Sequence, residues 1–246
     1  MLSDKPWRLD SVLFLLAGVL CCVFLGSLGV MLFRKLSPGL PAADGKFIEF
    51  LIGAVSFQCI PLGMVHLFLR QHDVGWRDFL GLRRAGVNAA VLRGALVALI
   101  VLPVAHLLAE YAAAALTAIE SKAPAPQHAI EVLKGSNTPG KQMLFAFTAV
   151  VLAPLMEEIL FRGVLYAVIK EAGHPRAALW LSSLAFAAIH ANKMSFVPLM
   201  FFAVILALLY ERTGRLIAPI AAHAAFNAAN IIMHLAWVNG VGRGGG

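Results

Sequence analysis

The sequence predicts an all-α protein, a polytopic transmembrane bundle of about seven to eight helices, on three observations. Of its 246 residues, 60% are hydrophobic and only 13% are charged, against roughly 25% charged in soluble domains. The hydrophobic residues fall in runs close to the about 20 residues that a helix needs to cross a bilayer's hydrocarbon. Within most runs they are continuous rather than alternating, which argues against strands, because lipid-exposed backbone must satisfy its own hydrogen bonds in helices or a closed barrel.

The first run, Ser11 to Phe33, carries no charge and is flanked by Lys5 and Arg8 before it and Arg34 and Lys35 after it. It is longer than the apolar region of a cleaved signal and has no small-residue cleavage site, so a retained spanning helix is expected. Phe47 to Leu69 and Gly94 to Leu116 form the next two spans. Between them, Arg70 to Asn88 mixes Trp76, Phe79 and Leu80 with four arginines. It fits an interfacial amphipathic piece or a plain solvated loop equally well. Ser121 to Gln142 contains Pro124, Pro126, Gly135, Pro139 and Gly140 and is expected to be a loop outside the bilayer.

After that loop come Met143 to about Ala167, Ala177 to Ala191, Met194 to Tyr210 and Leu216 to Val238. The first of these is long enough to add a more polar turn or two to a membrane helix. The closing GVGRGGG is expected to be a flexible tail. The expected organisation is N-terminal transmembrane helices with an interfacial loop over 1–120, a polar loop over 121–142, a transmembrane core over 143–238 and a tail over 239–246.

The net charge of +7 does not point to nucleic acid, since the basic residues are scattered through loops with no aromatic-interleaved module. Membrane lipids with anionic headgroups are the expected partner. An inside N-terminus puts Lys5, Arg8, Arg70, Arg77, Arg83, Arg84, Arg93, Lys170, Arg176, Arg212 and Arg215 on the cytoplasmic side, the orientation that the positive-inside rule favours. Cys21, Cys22 and Cys59 all lie in apolar runs, as small core or lipid-facing residues rather than a disulfide or metal framework.

Intramembrane ionisable groups cost several kcal/mol on most scales, so they mark function by default. They concentrate in the second half. Glu157 and Glu158 follow Pro154, whose ring removes a helix hydrogen bond and leaves room for a kink. Neighbouring helical residues point about 100° apart, so the two carboxylates are expected to serve different roles. Glu158 precedes Arg162 by four residues, the favourable order for an ion pair, which leaves Glu157 to face something else. A structural ion pair near the interface, with Glu157 among headgroups, would account for this pattern taken by itself.

His190 ends an apolar run one turn after Phe186, a place where an interfacial histidine is also common. His223 and Asn227 share one helix face, and the stripe continues through Asn230 and His234. Helix-to-helix packing among small residues accounts well for the last two. It does not account for a carboxylate pair with an arginine, a histidine on a second helix and an H-x-x-x-N pair together.

The motifs E-E-x-x-x-R at Glu157, Glu158 and Arg162, F-x-x-x-H at Phe186 and His190, and H-x-x-x-N at His223 and Asn227 resemble those of the CAAX protease and bacteriocin-processing (CPBP) family. Its intramembrane endopeptidases include the Ras-converting CAAX endopeptidase. The resemblance covers roughly residues 142 to 235, with all three motifs in order. Upstream, WRDFLGL is similar to a piece often seen in that family. The five aspartates fall outside the spans, and neither H-E-x-x-H nor G-x-S-x-G occurs, so two-aspartate, zincin and serine-elbow chemistries lack their residues.

The expected activity is an intramembrane peptide hydrolase acting on a peptide or protein substrate, prenylated CAAX-like or a small membrane peptide. Glu157 is the expected general base, His190 holds the attacking water, and His223 and Asn227 donate to the oxyanion. Glu158, Arg162 and Phe186 support them. No cofactor is expected. Zinc stays open, since Glu157, His190 and His223 are residue types that could bind one. A non-enzymatic membrane protein, a transporter or a bacteriocin-immunity or scaffold factor, is the alternative use of the same polar cluster. The expected location is a bacterial cell (inner) membrane.

Overall fold

The computed structural model describes residues 7–83, 85–120, 131–133 and 138–243, with side chains as far as residue 236. The described residues form helices and connecting turns with no strand. In order they are α1 (Leu9–Leu36), α2 (Ala42–Gln71), α3 (Trp76–Phe79), α4 (Val87–Glu120), α5 (Pro139–Glu171), α6 (Pro175–Ile189), α7 (Lys193–Thr213) and α8 (Ile217–Arg243).

Five of these, α1, α2, α4, α5 and α7, are long and apolar enough to cross a membrane. The remaining two expected spans differ for physical reasons. Helix α6 has 15 residues, about 22 Å at 1.5 Å per residue, short of the roughly 30 Å of hydrocarbon. It stops before the expected end because Ala191 adopts a left-handed φ of 49° and Asn192 caps the next helix. The Asn192 Oδ1 accepts from the backbone N–H and the hydroxyl of Ser195. Helix α8 has the length, 27 residues, but His223, Asn227, Asn230 and His234 lower its hydropathy.

Two expected boundaries move. Pro139 to Gln142, assigned from sequence to the polar loop, are the first turn of α5. Thr138 caps it by accepting from the Lys141 N–H, and Pro139 supplies a preset φ where no N–H is needed. The last helix continues through Gly240 to Arg243, into the segment expected to be a flexible tail. Glycine costs only about 1 kcal/mol in a helix interior, so a well-anchored helix can run through it. Residues 121–130, 134–137 and 244–246, which complete the expected loop and tail, lie outside the described residues.

Helix α5 is central, with 50% of its spanning stretch buried against 22% for α1 and α4. The outer helices turn large side chains such as Leu13, Phe14, Leu20, Phe24, Leu99 and Ile100 outward, the surface a bilayer would cover. Helices α4 and α8 cross closely at Gly94, where a Cβ would stand 2.4 Å from the Ala218 carbonyl oxygen. Further along that seam the Asn230 Oδ1 meets His106 Nε2 at 2.8 Å, as expected for a polar stripe that joins helices. The Arg70 to Asn88 segment is not simply a solvated loop. Phe79 is buried at 2% exposure, and its neighbours Trp76 and Leu80 pack against the same core.

Candidate active site

The carboxylates sit midway along α5, on a short α-helical turn, Ala153–Glu158, bracketed by two wider π-helical stretches, Thr148–Leu152 and Ile159–Tyr166. Pro154 supplies no N–H and crowds the carbonyl of the preceding turn. The π stretch just before it, bonded i to i+5, gives the ring room, so the expected kink site takes the form of widened turns. Such insertions often occur at functional sites.

Glu158 and Arg162 form the ion pair that their spacing predicts, Oε1 to Nη1 at 2.8 Å, both fully buried. The arginine Nη2 also donates to the Ala203 carbonyl of α7 at 2.8 Å. Its guanidinium lies over the Phe186 ring of α6, 4.8 Å from the centroid. One arginine thus joins three helices.

His223 of α8 stands between the two glutamates. Its Nδ1 is 3.0 Å from Glu158 Oε1, and its Nε2 is 3.8 Å from Glu157 Oε2. A carboxylate only accepts, so the Nδ1 carries a hydrogen and donates. The carboxylates point differently, as neighbours on a helix must, yet both face the same imidazole. Glu158 therefore does more than brace its own helix: it connects Arg162 to His223, through a bond to the histidine that crosses 65 positions of sequence. Glu157 is 8% exposed, and its Oε2 is buried with no hydrogen-bond partner among the described residues. The His223 Nε2, 3.8 Å away, faces that oxygen without bonding it.

Phe186 connects the histidines. Its ring centroid lies 5.0 Å from that of His190 and 5.7 Å from that of His223. Phe202 of α7 meets His223 edge-on at 5.5 Å. His190 is exposed at the end of α6, its Nδ1 2.8 Å from the Phe186 carbonyl oxygen. With Nδ1 donating there, Nε2 is left for another partner. Asn227 Nδ2 donates to the Ala149 carbonyl, in the first π stretch, at 2.8 Å. Only one of its two amide hydrogens is used in that bond.

Glu157, Glu158, Arg162, Phe186, His190 and His223 are thereby joined by direct contacts or through the Phe186 ring, and Asn227 is fixed to the same helix as the glutamates. Sequence reasoning missed Phe202 and the carbonyls of Ala149 and Ala203. A backbone carbonyl has no residue-type signature, and Phe202 is one of 16 phenylalanines. Among the described residues no three His, Cys, Asp or Glu side chains are grouped so as to hold a metal ion.

Residues 139–229 match the family described as type II CAAX prenyl endopeptidase Rce1-like, which bears out the resemblance read from the three motifs. The matched segment begins at the first residue of α5 and ends in α8, and it contains every residue of the cluster. Two Bacillus subtilis proteins are similar to this chain. One, named "Putative membrane peptidase YdiL", is 30% identical over 92 residues, 37% of this chain and 38% of the relative. The other, named "Uncharacterized protein YpbD", is 38% identical over 82 residues, 32% of this chain and 39% of the relative. The chain thus spans under two fifths of the length of either relative. No solved structure matches.

Proposed function

We propose, from the Rce1-like match over α5 to α8, that this chain is an intramembrane endopeptidase that hydrolyses a peptide bond with a water activated by Glu157. The observation that carries the proposal is the Glu157 carboxylate in the middle of a membrane helix, with a buried oxygen that no hydrogen bond engages among the described residues. Placing an ionisable group there is costly unless it is used, and a general base needs an acceptor not already committed.

In this mechanism Glu157 takes a proton from the attacking water as its oxygen bonds the carbonyl carbon, then returns that proton to the amine nitrogen as the C–N bond breaks, and His190 holds the water through Nε2. His223, carrying a hydrogen on Nε2 as well as on Nδ1, and the second amide hydrogen of Asn227 stabilise the tetrahedral oxyanion, a kind of contact worth about 3 kcal/mol when one donor is removed. The bond from His223 Nδ1 to Glu158 fixes the ring so that Nε2 faces Glu157 and the reacting centre. Arg162 holds Glu158 in place, and Phe186 keeps both imidazoles at a set separation.

The substrate proposed is a peptide at or within the membrane, a prenylated CAAX-like peptide or a small membrane peptide, in a bacterial cell membrane. Purified protein incubated with prenylated CAAX peptides and with a general peptide library, and read by mass spectrometry, should release products with new termini. Intact peptides in both arms, together with a solute flux that Glu157→Gln abolishes, would replace the peptidase with a transporter.

A metal-free reaction is also proposed. Asn227 is a poor zinc ligand and a good donor, and Glu158 is already shared between Arg162 and His223. Protein stripped with a strong chelator and verified by elemental analysis is expected to keep its cleavage rate. Activity lost on stripping and restored only by zinc, with one metal per chain, would instead make Glu157, His190 and His223 ligands.

A further inference from the structure

We propose that Trp7 and Phe79, both outside the family-matched segment, are positioning residues that clamp the π stretch of α5 at Gly163 and so set the alignment of Glu158 with His223. The clamp would tune the peptidase activity proposed above and rests on it for its kinetic consequence.

Gly163 follows Arg162 directly. Its carbonyl oxygen accepts a buried hydrogen bond from the Trp7 indole Nε1 at 2.9 Å, a contact across 156 positions of sequence. A π stretch shifts its hydrogen bonds from i+4 to i+5, and a carbonyl held from outside fixes where that shift falls. The absent side chain of Gly163 is equally specific. A Cβ there would meet the Phe79 ring at 2.7 Å and Leu216 Cδ1 at 3.0 Å. Glycine permits this approach of ring and backbone.

The clamp is itself tightly built. Trp7 packs on Phe68 at 4.9 Å, on His72 at 5.3 Å and on Phe79 at 5.8 Å. His72 Nδ1 lies 2.8 Å from the Phe68 carbonyl oxygen, tying that ring to the end of α2. Phe79 lies on α3, and the residue after it, Leu80, offers its carbonyl to the Ile217 N–H at 3.1 Å, the first residue of α8. The Arg215 guanidinium donates to the Ala85 carbonyl beyond α3. The segment from Trp76 to Leu80 therefore touches α5 through Phe79 and α8 through Leu80.

Glu158 is on α5 and His223 is on α8, and their 3.0 Å contact requires those two helices to stay in register along their axes. A 1 Å displacement far from the reacting atoms can cost about a hundredfold in rate. The WRDFLGL piece, which the sequence left between a membrane-surface helix and a loop, is thereby assigned to a bracket that holds the two helices together.

The test uses the full chain in lipid nanodiscs with Trp7→Phe, Gly163→Ala and the double variant Gly163→Ala, Phe79→Leu. Two signals are read: kcat and KM on a peptide that the wild type cleaves, and the ¹⁵N resonances of the His223 ring, identified by their loss in His223→Gln. Gly163→Ala should lower kcat about tenfold or more at nearly unchanged KM and shift the His223 resonances. The double variant should recover most of both, because the shorter leucine makes room for the new methyl. Trp7→Phe, which keeps an aromatic ring but removes the indole N–H together with the pyrrole portion, should shift the resonances in the same direction.

If Trp7→Phe and Gly163→Ala both keep wild-type kcat and wild-type His223 resonances, the clamp is wrong. It is equally wrong if the double variant recovers nothing beyond Gly163→Ala. A wild type that cleaves no peptide overturns the peptidase proposal instead, and the resonances alone then decide the clamp.

Discussion

Glu157 and Glu158 are adjacent in sequence and differ in what each is committed to. Glu158 is bonded to Arg162 and His223, while the Glu157 Oε2 has no hydrogen bond among the described residues. Their substitutions should separate accordingly. Glu158→Gln and Arg162→Ala each leave a buried charge without its partner, a change that costs about 3–5 kcal/mol. Both should lower the unfolding midpoint in a thermal scan in detergent. Glu157→Gln should leave that midpoint near wild type. A Glu158→Gln protein as stable as wild type would show that the pair does not support the fold. The four-residue spacing made Glu158 and Arg162 legible in the sequence, since helical neighbours follow from periodicity alone. The bond from Glu158 to His223 was not legible, because no local rule says which face of α8 meets α5.

Helix starts and stops were read less well than the helices themselves. Thr138 and Pro139 carried a recognisable start signal, a side-chain cap followed by proline at the first helical position. They stood among prolines and glycines that mark loops, and the loop assignment absorbed them. The early end of α6 had no comparable signal. Ala191 takes a left-handed φ that its sequence does not favour, and only the neighbouring Asn192 cap explains the turn. The polar stripe of α8 was legible as a stripe, and the structure divides it: His223 and Asn227 face α5, while Asn230 faces His106 of α4. Asn230→Ala should therefore cost about 0.6–1.7 kcal/mol in reversible unfolding and leave peptide cleavage intact. Loss of cleavage at wild-type stability would move Asn230 into the chemistry.

At the scale of the whole molecule the fold class was the most legible property. A bilayer permits few architectures, and long uncharged runs leave little besides a helical bundle. The fold also brings residues far apart in sequence together. Trp7, His72 and Phe79 meet at one end of the bundle, and Arg215 reaches Ala85 at that same end. Arg8, Arg77 and Arg215, all expected on the cytoplasmic side, belong to the segments that these contacts join. Single cysteines at Arg77 and at Lys141, in a chain with Cys21, Cys22 and Cys59 replaced by alanine, should report opposite sides to a membrane-impermeant maleimide in intact cells. Only the Lys141 site should be labelled from outside. Labelling of the Arg77 site alone would invert the orientation.

The central claim is that the Glu157 carboxylate activates the water that cleaves a peptide bond. The most direct measurement compares wild type and Glu157→Gln, each purified in nanodiscs and matched for thermal midpoint, for turnover of one cleaved peptide. Glutamine keeps the shape of the side chain and cannot take up the proton. Turnover should therefore fall at least about a hundredfold, the low end of what a general base contributes, with the fold unchanged. A Glu157→Gln protein that cleaves at the wild-type rate would contradict the claim.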